Sequence, residues 1–235
     1  MNLQEAISII GSDLGEPSKI PAFSFGLSAK DCITGSKLRQ VEGSTCSKCY
    51  SFNRGNYTFP HVVQAMDRRL LGINHEQWVE AMVYLINRRS TSHKLKKNNK
   101  GQLAIRVSPK YFRWHDSGDL QSMQHLANIA EVCRQTPQVT HWLPSREYDI
   151  IRDWFASGGI RPINLIIRLS AHLINGPLPI KLAEQLQIQT SGVHTKNWIL
   201  NKDIQACPSH LQNNQCMECR SCWDPNIMSI SYLKH

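Results

Sequence analysis

Residues 102–119 read QLAIRVSPKYFRWHDSGD, and they begin the part of the chain whose pattern decides the fold. Two extended apolar runs, 102–108 and 111–115, lead into a turn of acidic residues and glycine, and a helical pattern follows over 119–134. Such an alternation of strand and helix predicts a parallel sheet with right-handed crossovers. The further predicted strands lie near residues 138–143, 163–169 and 187–193, and the further predicted helices span about 146–157 and 179–186.

The chain has 235 residues, which is enough for one large domain with its own core. A chain of this length holds about five or six strand–helix units, fewer than a full eightfold barrel needs. We therefore predict an α/β fold, as a partial parallel (β/α) barrel with a helical N-terminal insertion and a cysteine-rich C-terminal segment. The predicted single domain, 1–235, contains a cysteine loop and helices in 1–101, β/α repeats in 102–195 and the C-terminal cysteines in 196–235.

The C-terminal segment carries four cysteines, Cys207, Cys216, Cys219 and Cys222, and the last three are spaced C-x2-C-x2-C. That spacing is typical of ligands to an iron–sulfur cluster, and Pro208 after Cys207 repeats a Cys-Pro pair that ferredoxins use. A tetrahedral zinc site more often takes paired cysteines from two separate knuckles. The spacing therefore favours a [4Fe-4S] cluster, with zinc as the alternative.

Three more cysteines, Cys32, Cys46 and Cys49, lie in a turn-rich segment near the N-terminus. Four thiolates saturate a cubane cluster, whereas three leave one iron free to bind another ligand. The division of the cysteines therefore favours one open cluster and one closed cluster. In the alternative, Cys46 and Cys49 complete a single site with part of the C-terminal set. The eighth cysteine, Cys133, lies at core spacing in a predicted helix and is interpreted as a buried apolar residue.

Polar residues follow the predicted strands, where the carboxyl ends of parallel strands form ligand sites. In the turn 115–119, backbone groups and carboxylates are suited to a cationic ligand group; the alternative is a tight turn in which Asp119 caps the next helix. Arg146 and Glu147 are expected to bind a ligand carboxylate and ribose hydroxyls, although Glu147 also suits the first turn of a helix. The candidate cofactor-binding residues are His115, Asp116, Gly118, Asp119, Arg146 and Glu147, and His172 and His194 are further candidates for proton handling or phosphate contact.

The chain is basic, with a formal net charge of +9, which permits nucleic-acid binding without requiring it. The densest basic run, from Arg88 to Lys100, is interpreted as a solvated loop over residues 90–101, and a phosphate-binding patch is the alternative.

The N-terminus lacks the features of a signal peptide, and no apolar run is long enough to span a membrane. We therefore expect a cytoplasmic protein without a membrane partner. The sequence contains no P-loop, dinucleotide fingerprint or esterase elbow, which argues against an ATPase, a nicotinamide dehydrogenase and a typical esterase.

Three motifs together resemble those of a group of short phage-encoded iron–sulfur proteins, which are compact relatives of the radical S-adenosylmethionine enzymes. The motifs are Cys32…Cys46-x2-Cys49-Tyr50, Arg113-Trp-His-Asp-Ser-Gly-Asp119 and Cys207-Pro…Cys216-x2-Cys219-x2-Cys222-Trp223, and the resemblance covers roughly residues 22–225. The usual C-x3-C-x2-C of the superfamily is C-x13-C-x2-C in this chain, and its Gly-Gly-Glu motif is absent.

The resemblance implies a partial parallel barrel in which Cys32, Cys46 and Cys49 hold a [4Fe-4S] cluster. Its fourth iron would chelate S-adenosylmethionine, and the turn 115–119 would face the methionine amino group. Reductive cleavage would then release a 5′-deoxyadenosyl radical, with an external electron donor and with a nucleotide or a modified DNA base as the substrate. A phage protein of this kind would act in the cytoplasm of its host cell.

Two other functions remain open at the level of the sequence. One is a non-enzymatic iron–sulfur protein that binds nucleic acid or a protein partner. The other is a zinc protein in which the same cysteines stabilise the fold and catalyse nothing.

Overall fold

The computed structural model describes residues 1–53, 56–89, 94–97 and 103–234. Its nine strands are β1 Phe23–Phe25, β2 Lys94–Lys97, β3 Leu103–Val107, β4 Tyr111–Trp114, β5 Thr140–Ser145, β6 Leu165–Ile174, β7 Gln189–His194, β8 Gln205–Ala206 and β9 Ser229–Leu233. Seven of them form one sheet in the order β1-β4-β5-β6-β7-β9-β8, and every neighbouring pair is parallel. In the described part of the chain the sheet is open, since β1 and β8 form its two edges. The predicted α/β class with a parallel sheet is confirmed.

Eight α-helices accompany the strands in the described residues. They are α1 Leu3–Ile10, α2 Ile33–Leu38, α3 Tyr50–Asn53, α4 Pro60–Gly72, α5 Trp78–Arg89, α6 Met123–Gln135, α7 Tyr148–Ala156 and α8 Ile180–Leu186. Short 3-10 helices span Ala29–Asp31, Asn56–Thr58, Pro208–Leu211 and Ser221–Trp223. None of the helices described is both long and apolar enough to cross a membrane.

The main core lies between one face of the sheet and helices α1, α5, α6 and α7. Alternate residues of β4 divide between the two faces: Phe112 and Trp114 are buried in this core, and Arg113 and Tyr111 lie on the opposite face. Helix α6 supplies a row of fully buried apolar residues, among them Cys133, as its spacing predicted. The helices thus cover one face and leave the other face to the cysteine-bearing segments.

The C-terminal segment covers part of that other face. Trp223 packs against Trp142 and Tyr111, with ring centroids 5.3 and 5.4 Å apart, and its Nε1 donates a 2.9 Å hydrogen bond to the carbonyl of Phe112. The segment therefore docks on β4 and β5 through a second, smaller apolar cluster that also includes Ile230.

Several elements differ from the sequence predictions. The run 102–108 contains β3, which pairs antiparallel with β2 as a separate two-stranded sheet rather than joining the parallel sheet. Strand β2 lies within the predicted loop 90–101. It was not predicted as a strand because its lysine-rich sequence has no apolar alternation. Residues 90–93 and 98–102 of that loop lie outside the described residues. Strand β9 was missed, and it inserts between β7 and β8.

The expected cap of helix α6 was also assigned to the wrong residue. Ser122 caps the helix, because its Oγ accepts a hydrogen bond of 3.0 Å from the backbone N of His125. The helix begins at Met123, four residues after Asp119, so the carboxylate of Asp119 is left to bond elsewhere.

Candidate metal centres

The three cysteines Cys32, Cys46 and Cys49, here called the three-cysteine group, lie together beyond the carboxyl end of β1. The Sγ atoms of Cys32 and Cys46 converge on Gly35, where an added Cβ would lie 3.5 and 3.7 Å from the two sulfurs and 2.9 Å from the Cβ of Cys32. Burial raises the pKa of the Cys32 thiol, and the charges of Asp119, Cys49 and Cys46 raise it further. The glycine thus leaves the space between the sulfurs open.

The loop after β5 and the carboxyl end of β6 hold the three-cysteine group in place. Glu147, after β5, accepts two hydrogen bonds from Thr34: one of 2.9 Å from the backbone N of Thr34 and one of 2.6 Å from the Oγ1 of Thr34. Thr45 donates from its backbone N to the carbonyl of His172 at 2.8 Å, and its Oγ1 accepts a 2.9 Å hydrogen bond from Nε of Arg146. Residues next to Cys32 and Cys46 are therefore tied to β5 and β6.

The acidic turn after β4 contacts the same segment. Tyr50 donates a hydrogen bond to the carbonyl of Asp116, and Tyr57 donates one to its Oδ2 at 3.0 Å. The Oδ1 atom of Asp116 is buried and has no hydrogen-bond partner among the described residues. Gly118 has a φ of +76°, and an added Cβ there would lie 2.7 Å from the Cβ of Leu27, so only glycine fits. The turn is therefore pressed against the segment that leaves β1.

Asp119 lies at the centre of these contacts. Its carboxylate accepts hydrogen bonds from Oγ of Ser145 at 2.6 Å, the backbone N of Arg146 at 2.9 Å and the backbone N of Leu120 at 2.8 Å. Burial raises the pKa of Asp119 to about 6, and these hydrogen bonds oppose the increase. Asp119 therefore joins the loops after β4 and β5 instead of capping helix α6.

The three candidate histidines lie in different surroundings. The ring of His115 is buried against that of His125 in α6, with centroids 5.4 Å apart, and burial lowers its pKa. His172 stacks on Tyr148 at 4.4 Å, beside the loop that carries Arg146. His194 shares a 2.8 Å hydrogen bond with Oγ of Ser231 between β7 and β9. Of the three, His172 contacts residues that hold the three-cysteine group, since its carbonyl bonds to Thr45 and its ring to the carbonyl of Arg146.

The C-terminal cysteines Cys207, Cys216, Cys219 and Cys222 form a second group, here called the four-cysteine group. Burial raises the pKa of Cys216 to about 11, and the charges of Cys207 and Cys219 raise it further. Burial also raises the pKa of Cys222 to about 12, with Cys216 and Cys207 adding to the increase. Three of these sulfurs lie 3.3 Å from a hydroxyl: Cys207 from Ser209, Cys219 from Ser221 and Cys222 from Tyr232.

Arg168 holds the four-cysteine group against the sheet, although its position in an apolar strand did not mark it as a site residue. Its side chain is fully buried on β6, and its guanidinium donates hydrogen bonds of 2.9 to 3.3 Å to five backbone carbonyls. The carbonyls belong to Cys222, Thr190, Ile227, Ser221 and Asp224. A charged residue within the apolar run Ile-Ile-Arg-Leu could have indicated this role, because a buried charge needs dedicated hydrogen-bond partners.

The structure thus brings all seven candidate cysteines into two groups. The thiols that raise the pKa of a cysteine come from its own group: Cys46 and Cys49 for Cys32, and Cys207 and Cys216 for Cys222. In the described part of the chain, no group of three or more His, Cys, Asp or Glu side chains is arranged to hold a metal ion. The donor chemistry of both groups is that of soft thiolates, which suits iron–sulfur clusters and zinc.

Comparisons with known proteins identify a family. Residues 8–225 match the family model described as Gene product 88. No curated protein and no solved structure matches the chain. Because the match covers the β/α repeats and both cysteine groups, it spans nearly the whole fold described above. The chain therefore belongs to the Gene product 88 family.

Proposed function

We propose that the protein is an iron–sulfur enzyme that resembles the radical S-adenosylmethionine enzymes. The observation that carries the proposal is the position of Cys32, Cys46 and Cys49 beside the loops after β4 and β5 and the end of β6, at the carboxyl-end edge of an open parallel sheet. Ligand sites of parallel α/β folds form at this edge. We interpret the open sheet as a partial barrel.

The three-cysteine group suits an open cluster because three thiolates leave one iron of a cubane for another ligand. When bound, such a [4Fe-4S] cluster would supply the electron that cleaves S-adenosylmethionine to a 5′-deoxyadenosyl radical. Gly35, where a larger side chain would meet Cys32, lets the sulfurs of Cys32 and Cys46 approach each other, as ligands of one group would.

The polar residues around the group have distinct roles in this proposal. The buried, unpartnered Oδ1 of Asp116 is an acceptor for the methionine ammonium, and Tyr50 and Tyr57 hold that residue in place. Arg146 lies close enough to Cys46 to lower its pKa against the effect of burial, so its charge favours the thiolate and attracts a carboxylate. Both oxygens of Glu147 are bonded to Thr34, so Glu147 positions the cysteine segment instead of contacting ribose hydroxyls.

The four-cysteine group would hold a closed [4Fe-4S] cluster with a structural or electron-transfer role. Its four thiolates leave no iron for a substrate, and Arg168 fixes the surrounding backbone. An external electron donor and a nucleotide or modified-base substrate complete the proposal.

Reductive incubation of anaerobically purified protein with S-adenosylmethionine tests the proposal. We expect iron and sulfide in the purified protein and 5′-deoxyadenosine after reduction. Cys49→Ala should abolish this product, and Cys219→Ala, in the four-cysteine group, should still release it. An intact, reducible cluster that forms no 5′-deoxyadenosine would contradict the proposal, and so would a colourless protein that contains zinc without sulfide. The latter result would favour the zinc alternative.

A further inference from the structure

Arg113 lies on the face of the sheet that carries the cysteine segments. It is in β4, in register with Ser24 of β1 and Trp142 of β5. Its guanidinium carbon lies 4.7 Å from the centroid of the Trp142 ring, and its Nε is buried. The ring therefore fixes the plane of the guanidinium, of which Nε is withdrawn from water although the residue as a whole is half-buried.

The guanidinium of Arg113 makes no hydrogen bond and no ion pair with the residues that the structure describes, and its Nε has no partner. Arg69 and Arg168, which are buried, differ from it. Arg168 donates to five carbonyls, and Arg69 donates to Oγ of Ser12 and to the carbonyl of Gly26. Because a buried donor without a partner is costly, the unpartnered Nε indicates that the partner of Arg113 is a ligand.

The surroundings of Arg113 place it between the two cysteine groups. Its charge interacts with Tyr50, which follows Cys49 in the chain, and with Asp116, to which Tyr50 is hydrogen-bonded. It also interacts with Tyr232, which is hydrogen-bonded to Cys222, and with Cys216. A ligand at Arg113 would therefore lie beside the turn 115–119 and within reach of the three-cysteine group.

We infer that Arg113 binds an oxyanion, a phosphate or a carboxylate, of the substrate. The planar fork of a guanidinium matches both anions with two parallel hydrogen bonds. The charge of Arg113 also acts on Tyr50 and Tyr57, whose rings pack on each other with centroids 5.4 Å apart. An aromatic base can stack on such a ring, so a nucleoside monophosphate fits this chemistry. The inference rests on the proposed function only in calling this ligand the substrate.

Calorimetric titration of the purified protein tests the assignment, with inorganic phosphate, benzoate and thymidine 5′-monophosphate as probes. Wild type should bind at least one probe, and Arg113→Gln should bind it about ten- to a hundredfold more weakly. Arg152→Gln serves as the matched control, because Arg152 is an exposed arginine that pairs with Asp149 and Asp153. Preference for phosphate or for benzoate identifies the anion, and either preference supports the assignment.

Three results would overturn it: wild type that binds none of the probes, Arg113→Gln with wild-type affinity, or S-adenosylmethionine that displaces the probe. The last result would mean that Arg113 holds the carboxylate of that molecule. If Arg113→Gln does not fold, modification of wild type by phenylglyoxal decides: the probe should slow modification of the Arg113 peptide, and an unchanged rate would refute the inference. Neither experiment requires radical formation. A negative result for anion binding at Arg113 is therefore distinguishable from a failure of the proposed enzyme to form 5′-deoxyadenosine.

Discussion

Glu147 accepts two hydrogen bonds from Thr34, at 2.9 Å from the backbone N and at 2.6 Å from Oγ1, although the two residues are 113 positions apart in sequence. Cys32 is the N-cap of helix α2 and offers no side-chain hydrogen bond to it. The carboxylate of Glu147 therefore satisfies a free N–H at the start of this helix, where a negative charge is favourable. The loop after β5 thus determines where the first cysteine lies.

Disruption of this pair should loosen the three-cysteine group. Glu147→Gln removes a charge-assisted hydrogen bond, and we expect it to lower the free energy of unfolding by about 1.5–3 kcal/mol. Urea unfolding of Thr34→Ala, Glu147→Gln and the double variant measures the coupling, which should be about 1–2 kcal/mol. The exposed Glu131→Gln is the control and should cost less than about 0.5 kcal/mol. Strictly additive effects of the two substitutions would show that the pair does not act as a unit.

The two cysteine groups should bind metal independently. Cys32→Ala should lose about half of the iron and keep the absorption of the remaining cluster, since the four-cysteine group has its own ligands. Cys222→Ala should lose the other half. Iron and sulfide analysis of the two variants, purified without oxygen, measures this directly. Unchanged iron in Cys32→Ala would refute the division into two clusters, and complete loss in both variants would indicate a single shared site.

The regular part of the fold was predictable because its signals are local. Extended runs mark β5, β6 and β7, and the helical period marks α6, so the α/β class follows from residues close together in sequence. Strand β9 was missed because Ser229–Leu233 lies after the cysteines, outside the predicted β/α repeats, and joins the sheet by pairing with β7 on one side and β8 on the other. Asp119 was misassigned as a helix cap because its hydrogen-bond partner Ser145 is distant in sequence.

The site was predictable only in its residue types. The cysteine spacing marked all seven candidate ligands, and the polar turns marked Asp116 and Arg146. The contacts that position them, such as Tyr57 with Asp116 and Thr34 with Glu147, join residues 59 and 113 positions apart and leave no local pattern. Long-range hydrogen bonds of this kind become visible only in the folded chain.

Stability should depend on pH through Asp119. Burial raises its pKa from 3.8 to about 6, so the native state binds a proton more tightly than the unfolded chain does. The stability that this proton contributes is fully present below about pH 4 and is lost as the pH rises through about 6, by up to about 3 kcal/mol. Urea unfolding of chelator-treated protein at several pH values should show this loss in wild type and a flatter profile in Asp119→Asn. The exposed Asp153→Asn should keep the wild-type profile, and an equally steep profile in Asp119→Asn would contradict the assignment.

Removal of the Arg168 guanidinium should release the C-terminal segment. Arg168→Met keeps most of the apolar stem but leaves five backbone carbonyls without their donor, among them those of Cys222 and Ser221. We expect a loss of about 3–5 kcal/mol in the free energy of unfolding, as for a broken buried network. Because the three-cysteine group bonds to other loops, the variant should lose the metal of the four-cysteine group alone and resemble Cys222→Ala in iron content. Arg152→Met, on an exposed surface, should match wild type in both measurements. Full metal content and an unchanged unfolding midpoint in Arg168→Met would show that the cysteines hold the segment without this arginine.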